Sequence, residues 1–212
     1  MLINIFQAWY QGQEQGNAMA DVLLGNVNPS GKLPVTFPVR LEDNPTFHNH
    51  PGENAKVVYS EGIFVGYRHY DTVKSTPLFP FGFGLSYTSF EYSNLRLSAD
   101  SFHSKSDTIR VSVDVTNTGS RQGKETVQFY VAQISKPGLR RPLKELKGWQ
   151  KVTLAPGETS IAHFVLDKTG LEYWDPSLHA FVVDSGAEFE LQVGGHSRDV
   201  QLSAKFYTAT NF

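Results

Sequence analysis

Apolar and polar residues alternate along the second half of the chain. Every second position is apolar from Ile109 to Val115 and again from Val127 to Val131, as in strands that bury one face. Five further apolar-rich runs, separated by turns, lie at 150–154, 161–166, 180–183, 188–193 and 200–206. Seven short strands over about 100 residues are typical of an immunoglobulin-like sandwich. The pattern therefore predicts an all-β sandwich in this part of the chain.

The beginning of the chain has the pattern of an α/β fold. Residues 2–9 are largely apolar with weak alternation, which predicts a parallel core strand buried on both faces. Apolar residues recur at helical spacing between Glu14 and Leu24, and Gly25 follows as a stop, which predicts a helix. Between 60 and 70, aromatic residues at helical spacing predict a short helix or turn with Ser60 as its N-cap.

Prolines and glycines interrupt the chain between these two parts. Pro34 and Pro38 limit residues 32–38 to an edge strand or an extended segment. Residues 40–57 have no period and carry polar clusters, so we expect a long surface loop. The stretch 77–87 is dense in Phe, Pro and Gly. Because aromatic side chains favour burial, we expect a packed, ordered linker there.

Composition narrows the range of partners. The 212 residues include 21 acidic and 19 basic ones, and a formal charge of −2 argues against a nucleic-acid partner. The absence of cysteine excludes disulfides, thiolate metal sites and a cysteine nucleophile. The apolar run at 1–9 is too short to span a membrane and lacks the features of a signal peptide. Asn28 and Asn44 each precede Pro, so neither is a glycosylation acceptor, and the sequence favours a cytoplasmic over a secreted location.

Acidic residues are the first candidates for catalysis, because paired carboxylates carry out many hydrolytic reactions. Those before the sandwich are Glu14, Asp21, Glu42, Asp43, Glu61 and Asp71. Glu14 and Glu61 stand at predicted helix starts, where the helix dipole accounts for them. Glu42 and Asp43 are adjacent in a loop, as in solvated turns. We therefore assign no catalytic residue.

Histidine patterns give no metal site and no triad. His48 and His50 could face one side of an extended segment, but no third ligand has a helpful spacing, which favours a solvated loop. His69 and Asp71 could form an oriented pair, yet no serine in a nucleophile-elbow context accompanies them, since Gly84–Tyr87 lacks the second glycine. We predict neither a metal nor a cofactor.

A basic loop and two tryptophans could serve binding. Residues 136–147 contain five cations and one acid. We expect this loop to dock on an acidic neighbour, because a nucleic-acid surface would carry more aromatic residues. Trp149 and Trp174 are expected in the core or at a domain interface, with stacking on sugar rings as the alternative.

Three motifs in order carry a family resemblance. They are WYQGQEQGNAMADVLLGNVNPSGKLPVTFP (9–38), YSEGIFVGYRHYD (59–71) and PLFPFGFGLSYTSFEYS (77–93). Together they resemble the C-terminal part of family 3 glycoside hydrolases, chiefly fungal β-glucosidases. Further runs resemble the terminal fibronectin type III-like domain of that family, at 115–131, 141–158 and 171–175. The similarity covers nearly the whole chain.

The resemblance implies both a fold and an activity. Residues 1–93 would be the last elements of an α/β sandwich domain with a linker, and residues 94–212 a fibronectin type III-like β-sandwich. In the family, a (β/α)8 barrel supplies the Asp nucleophile, and the acid/base Glu lies upstream of the first motif, so neither maps to a residue here. We expect a C-terminal fragment of a retaining β-glucosidase, whose β-glucoside substrate binds to domains outside this sequence.

Two other interpretations stay open. The chain could be a stand-alone binding module that holds a carbohydrate or a protein partner through Trp149, Trp174 or the basic loop. Alternatively, the sandwich could only brace the catalytic domains of a parent enzyme. A homo-oligomer is compatible with each interpretation.

Overall fold

The structure, a computed structural model that describes residues 5–135 and 138–212, consists mainly of β-strands. Its two α-helices are α1 (Gln15–Leu23) and α2 (Tyr67–Thr72), and two short 3₁₀ helices span Leu41–Asp43 and Lys168–Gly170. The strands are β1 (Phe90–Leu97), β2 (Ser101–Phe102), β3 (Ile109–Asn117), β4 (Gly123–Gln133), β5 (Glu145–Leu154), β6 (Thr159–Leu166), β7 (Tyr173–Asp175), β8 (Ala180–Val182), β9 (Glu188–Gly194) and β10 (Leu202–Thr208).

Eight of these strands form a two-sheet sandwich. One sheet has the order β1-β3-β6 and the other β2-β10-β9-β4-β5, while β7 and β8 form a separate hairpin. All neighbours pair antiparallel except β2 and β10, which run parallel. The predicted all-β sandwich is confirmed in this part of the chain.

The core lies between the two sheets. The apolar positions of β3, from Ile109 to Val115, are at most 1% exposed, as period-two alternation requires. Across the sheets, the Phe129 ring stacks on Phe164 at 5.1 Å. Within the larger sheet, Phe189 of β9 stacks on its cross-strand partner Phe206 of β10 at 5.4 Å. Aromatic and β-branched side chains thus fill the sandwich.

All seven predicted strands are present, and three others were not predicted. Strand β1 was missed because Asn94 has a φ of 51° and the pairing register shifts between Ser93 and Arg96, which interrupts the alternation. Strands β2 and β7 are too short to show a period. Strand β1 begins at Phe90, ahead of the expected boundary between residues 93 and 94.

The residues before β1 form an extended segment, 5–89, that we call the arm. Residues 1–4 of the predicted core strand at 2–9 lie outside the described part of the chain, and residues 5–9 are neither strand nor buried, so that prediction is wrong for them. Within 5–135 and 138–212, no strand offers residues 5–9 a ladder of hydrogen bonds. Helix α1 is confirmed, but none of its residues is buried.

The remainder of the arm follows the predictions in part. The helix expected from Ser60 begins only at Tyr67, and its N-cap is Gly66, whose φ of 55° suits glycine. Residues 32–38 are extended, with a single bridge from Phe37 to Phe79. The stretch 77–87 is ordered and packed, as predicted, with Phe79 stacked on Phe83 at 5.4 Å. Neither helix has the length and apolar character needed to cross a membrane, within the residues that the structure describes.

Strand β6 is an edge strand of the smaller sheet. Its outward positions Ile161 and Val165 are 45% and 57% exposed. At the centre of this edge, the His163 backbone N–H donates a hydrogen bond to Gln150 Oε1 of β5. A side chain of the other sheet thus occupies a backbone group that edge strands usually leave free.

Replacing Phe129 with Ala should lower the free energy of unfolding by about 3–5 kcal/mol, because a fully buried ring would leave a cavity against Phe164. Denaturant unfolding measures this change. The control is Val165→Ala on the exposed face of β6, which should stay within about 0.5 kcal/mol of the wild type. Similar losses in the two variants would contradict the location of the core.

Candidate functional site

The contact between the arm and the sandwich is the most elaborate polar arrangement in the molecule. Helix α2 begins this contact with Tyr67, whose hydroxyl accepts a hydrogen bond from the Leu146 backbone N–H at 2.8 Å. The Tyr67 ring stacks on Phe81 at 4.9 Å and meets the edge of Tyr130 at 5.9 Å. One side chain of the arm therefore joins strands β4 and β5 of the larger sheet.

Glu145, at the start of β5, forms ion pairs with three basic side chains. Its carboxylate lies 3.0 Å from Arg68 of the arm, 3.3 Å from Arg141 and 3.5 Å from Lys147. Burial lowers the pKa of Lys147, while the Glu145 carboxylate opposes this effect. Arg141 also donates to the Leu171 carbonyl at 3.1 Å, so that its position is fixed from two sides.

Asp71 forms a second ion pair across the same contact. Its Oδ1 lies 2.6 Å from Arg198 Nε, and the other carboxylate oxygen is buried without a hydrogen-bond partner. Arg198 donates in addition to the Ser75 carbonyl at 3.0 Å. Burial raises the pKa of Asp71, while the positive charges of Arg198 and Lys144 act in the opposite direction.

A third ion pair between arm and sandwich lies nearer the start of the arm. Lys32 Nζ is 3.0 Å from Glu125 Oε1, and Glu125 is only 6% exposed. The Tyr92 hydroxyl donates to the same carboxylate at 3.0 Å. Burial and the neighbouring Glu125 carboxylate raise the pKa of Tyr92, so the phenol remains a hydrogen-bond donor.

The backbone of the linker fits closely over β4. The Gln128 side-chain amide donates to the carbonyls of Gly82 at 3.2 Å and Gly195 at 2.7 Å. The Tyr130 hydroxyl donates to Gln128 Oε1 at 2.5 Å. Gly82 has a φ of 81°, and a Cβ there would collide with the Gln128 amide, so the position requires glycine.

The C-terminal end of α1 is also tied to the sandwich. Arg121 of the sandwich donates to the Gly25 carbonyl at 3.2 Å, while within the arm the Tyr87 hydroxyl donates to the Val22 carbonyl at 2.8 Å. A cleft of about 520 Å³ lies here, with Arg121 and Lys124 among its lining residues. Since a cation at a helix C-terminus is favourable, the position of Arg121 has a structural explanation.

Four of the acidic residues considered for catalysis have structural partners. Glu14 accepts a hydrogen bond from Asn17 at 2.6 Å, and Asp21 accepts one from Asn26 at 3.1 Å. Asp43 lies 2.9 Å from Arg40 in an exposed ion pair. Asp71 is bound to Arg198 rather than to His69, whose ring instead meets the edge of Tyr70 at 5.5 Å. Glu42 is exposed in the first 3₁₀ helix.

Histidine and the basic loop have similarly local surroundings. The His48 ring contacts Phe47 at 5.2 Å, and no cluster of three or more His, Cys, Asp or Glu side chains could hold a metal within 5–135 and 138–212. Lys136 and Pro137 of the basic loop lie outside those residues. Within the described part of the loop, Arg141 pairs with Glu145, an acidic residue of the same loop. Arg140 lies 4.6 Å from the centre of the Phe64 ring of the arm.

The two tryptophans are exposed rather than buried. Trp149 is 66% exposed and Trp174 is 49% exposed, so of the two expected locations the core is wrong for both, and the domain interface stays a prediction. Trp149 points outward from the edge strand β5, whose inward positions are Val152 and Leu154. Trp174 lies on the outer face of the β7–β8 hairpin.

The arm leaves many large apolar side chains in solvent. Tyr10 is fully exposed and Tyr59 is 88% exposed. Others that are more than half exposed are Ile5, Trp9, Leu23, Leu24, Val39, Leu41, Val58, Ile63, Val73, Leu78 and Leu85. A surface of this kind marks an interaction site.

Comparison with known families accounts for both parts of the chain. Residues 4–67 match the glycosyl hydrolase family 3 C-terminal domain, and residues 125–197 match a fibronectin type III-like domain. Residues 4–67 belong to glycosyl hydrolase family 3. The order of the two matches agrees with the predicted resemblance to the C-terminal part of such an enzyme.

Relatives within the family align over nearly the whole chain. Thermostable β-glucosidase B of Acetivibrio thermocellus is 50% identical over 94% of the chain, and probable β-glucosidase I of Aspergillus terreus is 44% identical over 98%. The crystal structure of a family 3 β-glucosidase from Bifidobacterium adolescentis superposes with a TM-score of 0.87 at 42% identity over 94% of the chain. The chain spans 26%, 25% and 29% of these proteins, respectively, or about a quarter of their length.

Sequence reasoning missed most residues of the contact between arm and sandwich. Glu125 is a polar residue on the face of β4 that carries Val127 and Phe129, and that departure from the pattern was the available signal. Arg198 carries no such signal, because it lies in a turn after β9 and meets Asp71 only in the folded chain.

Replacing Arg198 with Met should lower the free energy of unfolding at neutral pH by about 1–3 kcal/mol, because Asp71 loses its charged partner. Without Arg198, the pKa of buried Asp71 rises further above its unfolded value of about 3.9. The penalty is therefore absent at a pH where Asp71 is protonated in both folded proteins, and it grows as the pH rises through the raised pKa that Asp71 has in the wild type. Denaturant unfolding from about pH 4 to about pH 8 measures this dependence.

Two controls accompany this variant. The double variant Asp71→Asn/Arg198→Met removes the buried charge and should recover stability at neutral pH. Arg96→Met breaks an exposed pair with Asp114 and should cost no more than about 1 kcal/mol, without rescue at low pH. A loss in Arg198→Met that is equal at every pH would contradict the assignment to the Asp71 charge.

Proposed function

We propose that the chain is the C-terminal part of a retaining β-glucosidase, which hydrolyses terminal non-reducing β-D-glucosyl residues. The observation that carries this proposal is the likeness to β-glucosidases over 94–98% of the chain, at 44–50% identity. It favours the hydrolase over a stand-alone binding module. The β-glucoside substrate would bind to parts of the enzyme outside these residues, and a homo-oligomer of that enzyme stays a prediction.

The role proposed for these residues is structural. The carboxylates of Asp71, Glu125 and Glu145 are all engaged in ion pairs that hold the arm on the sandwich. None of them is available to a sugar without loss of that contact. The catalytic acid and nucleophile are therefore expected outside the chain.

The exposed apolar surface of the arm supports the same proposal. Helix α1 and residues 5–9 would pack on parts of the enzyme outside these residues, which would cover Ile5, Leu23 and Leu24. The proposed division keeps the expected order of an α/β part and a sandwich, for which the expected ranges are 1–93 and 94–212. Since β1 pairs with β3 from Phe90 onward, we set its boundary just before that residue.

Activity of a chimera tests the proposal. The chain should replace the matching C-terminal quarter of Acetivibrio thermocellus β-glucosidase B, to which it is 50% identical, and preserve hydrolysis of an aryl β-glucoside. The isolated chain should give no turnover. Initial rates of both proteins, with the unaltered enzyme as reference, measure these outcomes.

A truncated chimera without residues 94–212 is the control for the bracing role. It should unfold at a lower temperature, and below that temperature it should keep the substrate preference of the full chimera. An inactive but folded full chimera would contradict the proposed function. So would turnover by the isolated chain that a single carboxylate substitution abolishes.

A further inference from the structure

The β7–β8 hairpin belongs to neither sheet of the sandwich and displays two aromatic rings. Trp174 and Phe181 are direct cross-strand partners, with ring centroids 5.3 Å apart at an angle of 70°. They are 49% and 65% exposed, and Leu178 at the tip is 64% exposed. A cross-strand pair stabilises a hairpin, but this leaves the outer surfaces of both rings unexplained.

The hairpin is held in one conformation. At its tip, Asp175 Oδ1 accepts hydrogen bonds from the backbone N–H and the hydroxyl of Ser177, at 2.8 Å and 2.6 Å. At its base, the Tyr173 hydroxyl donates to Asp184 at 2.7 Å, and Arg141 lies 5.0 Å from the ring centre. Burial raises the pKa of Tyr173 to about 12, so this hydroxyl stays protonated. A fixed hairpin presents its rings with little ordering cost on binding.

Hydrogen-bonding groups lie beside the aromatic pair. Phe181 forms one wall of a cavity of about 160 Å³, whose lining also includes Lys105, Lys168 and Glu172. Lys168 and Glu172 are 3.1 Å apart, so the cavity offers donors and acceptors with nearly balanced charge. Balanced charge does not suit a polyanion, whereas hydroxyl groups can use both kinds of partner.

We propose that this hairpin is a binding site for a neutral β-glucan chain. The apolar face of a sugar ring would lie on Trp174 or Phe181, and its hydroxyl groups would reach Lys105, Lys168 and Glu172. Three exposed apolar side chains form a smaller patch than most protein–protein interfaces require, which favours a single polysaccharide chain as the occupant. The site lies outside the catalytic function proposed above and needs none of its residues.

Retention on insoluble β-1,3-glucan and on amorphous cellulose tests the site in the full 212-residue chain. The wild type should be retained on at least one of the two. Trp174→Ala and Phe181→Ala should each weaken binding by about tenfold, through loss of a stacked ring. The matched control is Trp149→Ala, which removes a tryptophan that is 66% exposed on a different strand and should leave binding unchanged. Thermal unfolding of each variant checks that it remains folded.

Three outcomes would overturn the proposal. The wild type could fail to bind either glucan, or Trp149→Ala could lose as much binding as Trp174→Ala. In the third, Trp174→Ala keeps glucan binding but loses self-association in sedimentation, which would make the hairpin a protein contact. The chimera with Trp174→Ala should hydrolyse a soluble aryl β-glucoside normally, so the glucan test and the activity test can fail independently.

Discussion

Charged groups cannot be buried without partners, and the position of the arm on the sandwich follows from this constraint. Glu145 of the sandwich forms ion pairs with Arg68 of the arm and with its own neighbours Arg141 and Lys147. Asp71 of the arm in turn pairs with Arg198 of the sandwich. Each pair would leave an uncompensated charge if the arm shifted. The ion pairs therefore define one position for the arm, and the apolar side chains on its exposed side are presented in a fixed arrangement.

This fixed contact also shows that the sandwich holds the arm in place. The linker backbone at Gly82 is bound by Gln128 of β4, and the C-terminal end of α1 is bound by Arg121. The sandwich thus acts on the arm at several points along its length. In a parent hydrolase, the same contacts would transmit the rigidity of an all-β core to the edge of an α/β domain.

Local sequence patterns were sufficient to predict the strands but not the contact between the arm and the sandwich. Period-two alternation is a property of neighbouring residues, so β3, β4 and β9 could be predicted, whereas the irregular Asn94 concealed β1. Residues 2–9 have the composition of a core strand, but a strand also needs partners that composition does not reveal. Ion pairs such as Asp71 with Arg198 join distant parts of the sequence, and nothing in either local run indicates the other. The tryptophans were misplaced because residue type favours burial, while their positions on β5 and β7 face solvent.

The hydrogen bond from His163 to Gln150 has a consequence for how this protein behaves at high concentration. Strand β6 carries apolar side chains beside a free edge, which is the combination that recruits a strand from another molecule and starts a fibril. An incoming strand would have to displace the Gln150 amide at the centre of the edge before it could form a continuous ladder. One glutamine thus acts as a local barrier against association between neighbouring molecules.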